Sequence, residues 1–141
     1  MTGASPWKQH FIQVAECNAW AYKVLLESVA QLSDEQFSAH AGLCFRSIHG
    51  TLNHLVLSEQ FWYARFTGDS STPSPEVTAL WTSENMYSKP GDASSIWEEY
   101  NPDRSKIIEA IEKSISAAIT QFGLRPPTMD YVGAPGITRN V

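Results

Sequence analysis

Four histidines, His10, His40, His49 and His54, are the side chains of this 141-residue chain best suited to metal or proton chemistry, and none follows position 54. His49 and His54 share one helical segment, five positions apart. At about 100° per residue they project roughly 140° apart, so one helix cannot direct both to the same ion. Thr51, Ser58 and Phe61 fall on the His54 sector, and Asn53, Val56 and Gln60 on the His49 sector. Spacing alone does not choose between them, and for each the alternative is a hydrogen-bonded structural histidine. Asn18 falls inside an apolar stripe, where an amide needs partners or costs about 1–3 kcal/mol; it is a structural hydrogen-bonder or a cleft residue. Two cysteines, Cys17 and Cys44, are too few for a disulfide framework or a four-cysteine zinc site. No Gly-rich phosphate loop, nucleophile elbow or Cys-x-x-Cys occurs.

The elements that must position these groups read as helices. Ser5 before Pro6 is a cap followed by a first-turn proline, and the periodicity predicts a helix over 6–32 with Trp7, Phe11, Val14, Ala21, Leu25, Val29 and Leu32 on its buried stripe. Ser33-Asp34-Glu35-Gln36 is a capping-box pattern opening a short turn towards His40. Ser47 caps a second long helix through Ile48, Leu52, Leu55, Trp62 and Phe66 that stops at Gly68. Residues 69–95 then read as a Ser/Pro-rich acidic crossover, either functional or simply solvated. A third helical segment spans 94–122, with Trp97, Tyr100, Ile107, Ile108, Ile111, Ile115, Ala118 and Ile119 on its buried face. Asn101-Pro102 interrupts it, so a short helix ends at Tyr100 and a new one starts with Asn101 as cap, or one helix kinks there. Residues 128–141 suit a small hairpin around Gly133-Ala134-Pro135-Gly136.

Composition narrows the function classes. The chain is 43% hydrophobic and 18% charged with net charge −5, the profile of one domain, here taken as 1–141. A pI near 5.3 argues against nucleic acid as the main partner. No apolar run approaches the roughly 20 residues of a membrane span and no signal peptide is recognisable, so the expectation is a cytoplasmic protein without a membrane partner. Residues 68–104 carry seven acidic and two basic side chains, and hence most of the net charge. Five Trp, five Tyr and six Phe point to a core or cleft built on large flat side chains.

Glu16-Cys17-Asn18-Ala19-Trp20-Ala21, with Leu25-Leu26 and Leu32-Ser33-Asp34-Glu35 after it, resembles the first helix of the DinB/YfiT-like metalloprotein family. Phe45-Arg46-Ser47-Ile48-His49-Gly50-Thr51-Leu52-Asn53-His54-Leu55, with Trp62 seven residues on, resembles its second helix. The resemblance implies an all-α, up-down-down-up four-helix bundle, often a homodimer, holding a divalent metal through three histidines. His54 matches the ligand from the second helix; the other two come from a His-x-x-x-His pair on a fourth helix. Asn18, Trp20 and Trp62 then line or support the cleft, with His49 and Glu59 as further supporting residues. The metal would be zinc, nickel or iron, and the activity that of a thiol-dependent transferase, an isomerase or a metal-dependent hydrolase acting on a small molecule.

Asp130 to Val141 resembles the connector that leads into the family's fourth helix, and the sequence departs from the family pattern there: the His-x-x-x-His pair is absent, and no histidine after His54 replaces it. Three explanations are open: a shortened product of a longer gene, a degenerate member, or two chains covering each other's groove. The clean stop favours the first. Two functional expectations follow. One is a metal-dependent protein with an incomplete three-histidine site in this chain. The other is a metal-free helical interaction domain that self-associates through a groove lined by Trp20, Leu55, Trp62 and Ile111.

Overall fold

The structure is a computed structural model that describes residues 5–69 and 73–124, with the side chains described up to residue 120. Among the described residues it is all helical. In chain order the helices are α1 (Pro6–Val29), α2 (Asp34–Ser38), α3 (Ile48–Thr67), α4 (Pro75–Thr82), α5 (Ile96–Tyr100) and α6 (Arg104–Leu124). The expected hairpin over 128–141 lies outside the described residues.

Local signals set most boundaries. Pro6 stands at the first turn of α1 after Ser5. The Ser33 hydroxyl accepts from the Gln36 N–H while the Gln36 side chain accepts from the Ser33 N–H, a complete capping box on α2. Ser47 Oγ accepts from the Gly50 N–H at 3.0 Å to start α3, and Gly68 ends it in the left-handed region at φ 74°. At the interruption around Pro102 the chain forms two separate helices, and the cap of α6 is Asp103. Its Oδ1 accepts the N–H groups of Ser105 and Lys106, whereas Asn101 Oδ1 holds the Asp103 N–H.

Contacts along the long helices fix their directions. Arg104, at the start of α6, donates to the carbonyls of Val29 at 2.7 Å and Leu32 at 3.0 Å, at the end of α1. Near the other end, Val14 and Ala15 of α1 border one cavity with Phe66 of α3 and Ala118 of α6. Helices α3 and α6 therefore run parallel to each other and antiparallel to α1, an up-down-down order. Two parallel helices need a connection that spans their full length, and residues 69–95 supply it.

That crossover is not the bare loop the composition suggests, because it contains α4. Ser74 Oγ accepts from the Val77 N–H, and Pro75 takes the first turn. Ser-Pro followed by Val77, Leu80 and Trp81 at helical spacing carried this signal.

The core has two parts. Tyr22, Val29, Phe37, Leu52, Val56, Ile107 and Ile111 fill the space between α1, α2, α3 and α6. Leu57, Val77 and Trp97 seal the crossover against α3, with Phe45, Leu80, Trp81 and Met86 around them. The buried line of α1 is Ala15, Tyr22 and Val29, turned by about 60° from the centre of the expected stripe, so Trp7 and Val14 lie exposed while Val29 stays buried. The same face packs Tyr22 and Val29 into the core and brings the Tyr22 hydroxyl to Glu59 on α3. Ile111 is only 2% exposed within this core, so the expected groove wall does not include it.

Candidate functional site

Helix α3 carries the expected site residues on two different sides. On the side facing the crossover, the half-buried His54 ring lies flat on Phe45 and meets the edges of Trp81 and Trp97, both with centroids 4.8 Å away. The Nε2 atom stands 3.4 Å from Ser58 Oγ, and Nδ1 is buried with no hydrogen-bond partner. Burial in this aromatic shell pushes the imidazole below its ordinary pKa, which keeps it neutral and preserves a lone pair on one nitrogen. Beside it a cavity of about 400 Å³ opens between Ser58, Phe61 and Trp62 of α3 and Thr78 and Trp81 of α4.

On the side facing α1, Glu59 accepts a hydrogen bond from the Tyr22 hydroxyl at 3.1 Å and a longer one from Asn18 Nδ2 at 3.5 Å. Burial, reinforced by the Glu59 charge and this hydrogen bond, holds the Tyr22 phenol far above the usual tyrosine range. Asn18, Glu59 and Trp62 border a cavity of about 240 Å³ together with Val14, Tyr63 and Phe66. Trp62 borders both cavities and forms a wall between them.

The other named residues lie elsewhere. His49 is 7% exposed, stacks on Phe37 and meets the Asn101 carbonyl through Nε2 at 2.8 Å. It ties α3 to the start of α6 and does not share a site with His54. Trp20 is 65% exposed on α1 and borders neither cavity. Cys17 and Cys44 are both exposed. His40 Nδ1 accepts from the Gly42 N–H, and His10 sits against the edge of Phe11. Tyr22, Phe45, Trp81 and Trp97 build the two sites without having been named for them. Tyr22 stands one helical turn after Asn18, which was the available signal.

As a metal ligand His54 fits, since it is neutral and one nitrogen has no partner. The donor set around it does not complete a site: among the described residues no three His, Cys, Asp or Glu side chains come together as a metal would require. No reaction step through a metal follows from these residues.

An up-down-down bundle whose second long helix presents a histidine to a long, aromatic crossover defines a class of helical proteins. A family model describing the DinB family matches residues 7–108, more than half of the chain, and the chain belongs to the DinB family. No curated protein and no solved structure matches it significantly. Among the described residues no helix is long and apolar enough to cross a membrane.

Proposed function

We propose that the protein is a metal-associated member of the DinB family in which His54 supplies one ligand to a divalent zinc, nickel or iron ion. The observation that carries the reading is the buried, partnerless Nδ1 of a neutral His54. The opposite nitrogen has Ser58 Oγ within reach, the kind of outer contact that orients a ligating imidazole. The remaining ligands are not histidines of positions 55–141, which contain none. When bound, such a metal lowers the pKa of a coordinated water or thiol, the chemistry of the transferases and hydrolases the family resembles. The neighbouring aromatic cavity suits a small substrate with an apolar part.

Metal content measured by mass spectrometry on the purified chain tests this. The expected result is about one equivalent of zinc, nickel or iron per site, lost in His54→Ala and kept in His49→Ala. Equal metal content in all three proteins would remove His54 from the ligand set.

A second reading has its own support. Trp20 and Val24 are exposed one turn apart on α1, an apolar surface suited to self-association as a metal-free interaction domain. Sedimentation over a range of concentrations decides it: a homodimer with concentration-dependent stability supports the reading, and a monomer at micromolar concentration sinks it.

A further inference from the structure

The cavity on the α1 side joins two features that the His54 reading leaves unused. One is a carboxylate, Glu59, that forms no ion pair among the described residues. Its two donors, Tyr22 and Asn18, are neutral and both reach the same oxygen, Oε1. The other is an aromatic wall, since Trp62, Tyr63 and Phe66 border the same space. A negative charge partly withdrawn from water in an apolar setting is costly until a cation meets it. Aromatic faces attract organic cations through their quadrupole while repelling anions.

We propose that the cavity between α1, α3 and α6 binds a small organic cation of the alkylammonium class, with Glu59 as counter-ion and Trp62, Tyr63 and Phe66 as an aromatic border. The volume of about 240 Å³ admits an ammonium head with a short chain and little more. Asn18 and Tyr22 hold the carboxylate in place by hydrogen bonds, so the charge is positioned before the ligand arrives. The inference stands apart from the His54 reading, because His54 does not border this cavity and an alkylammonium does not ligate metals.

Calorimetric titration of the whole chain with choline, against its uncharged carbon isostere 3,3-dimethylbutan-1-ol, tests the proposal. Saturable choline binding is expected, with the neutral isostere weaker by about tenfold or more. Glu59→Gln keeps the hydrogen-bond acceptor and removes the charge; it should weaken choline binding by about tenfold. Trp62→Leu supplies a second variant that leaves the carboxylate in place, and it should weaken choline more than the isostere. Circular dichroism shows which variants are folded, and a variant that is not folded leaves the isostere comparison as the deciding measurement. Equal affinity for choline and the isostere, unchanged binding in a folded Glu59→Gln protein, or no saturable choline binding up to about 10 mM would each overturn it.

Discussion

Phe45 lies flat on the His54 imidazole, with ring centroids 4.0 Å apart and planes inclined by 19°. Burial of this titratable ring within the aromatic shell disfavours its charged form, which is why its pKa is lowered. The unfolded chain therefore binds this proton more readily than the folded one between the lowered pKa and the ordinary value of 6.5. The His54 contribution to stability is fully present above 6.5 and is lost as the pH falls towards the folded pKa. Urea unfolding midpoints from about pH 7.5 to about pH 5.5 should fall less steeply for His54→Phe than for the wild type. Parallel curves would show that the folded ring titrates as it does in the open chain.

Phe45 also constrains the next turn of α3 through its carbonyl. A Cβ built on Gly50 would overlap the Phe45 carbonyl oxygen and come within 2.9 Å of Ser95 Oγ. Backbone cannot swing aside as a flexible side chain can, so Gly50→Ala should destabilise the protein by about 3 kcal/mol. That far exceeds the gain of up to about 1 kcal/mol that alanine brings to an open helix position. A chemical denaturation curve as stable as the wild type would mean that the backbone around Phe45 gives way at little cost.

The starts of α1, α2 and α3 and the end of α3 were legible because Ser5-Pro6, Ser33 to Gln36, Ser47 and Gly68 are local signals, read within one turn of chain. The Ser5 side chain nevertheless makes no cap bond, and α6 is capped by Asp103 rather than Asn101. Family membership was legible because the run from Ser47 to Leu55 is dense and specific. The site was only half legible. Asn18, Glu59 and Trp62 do share a cavity, but Trp20 points outward and His49 belongs to a structural contact, and these are matters of helix rotation. Rotation of α1 is decided by long-range contacts, among them the core packing of Tyr22 and Val29 and the bond from Tyr22 to Glu59, which no window along the chain contains. Helix α4 was missed for a different reason: its eight residues sit in a Ser/Pro-rich segment whose composition outweighed a good Ser-Pro start.

Arg46 carries an unusual backbone and a mostly buried charge at once. Its φ is 72°, in the region glycine prefers, while its guanidinium donates to the carbonyls of Ser38 and Asp92 and to Glu98 Oε1 at 2.9 Å. Glu98 also accepts from Ser47 Oγ and the Ser95 N–H, so the pair joins the starts of α3 and α5. Arg46→Ala leaves that carboxylate without its cation and keeps the backbone strain, at an expected cost of about 3 kcal/mol. Arg46→Gly loses the same charge but relaxes the backbone, and should be about 1 kcal/mol more stable than Arg46→Ala. The order of the two urea midpoints is the test, and the reverse order would show that the φ value costs nothing.

Asn53 fastens the crossover to α3 with one amide. Its Nδ2 donates to the Trp97 carbonyl at 2.8 Å and to the Asn101 carbonyl at 2.9 Å, where His49 Nε2 also arrives at 2.8 Å. Because the site needs a donor, shape alone is not enough to replace it. Asn53→Ala leaves buried carbonyls short of a partner and should cost about 2 kcal/mol. Asn53→Asp is nearly the same size, yet it brings a buried carboxylate oxygen against two carbonyl oxygens. It should be the more destabilised of the two at neutral pH and recover relative to alanine as acid protonates the carboxyl. Its raised pKa makes the recovery begin above the ordinary aspartate range, so denaturation of both variants at about pH 7 and about pH 5 separates the effects of charge and shape. An aspartate variant as stable as the wild type at neutral pH would mean that these carbonyls do not depend on the Asn53 amide.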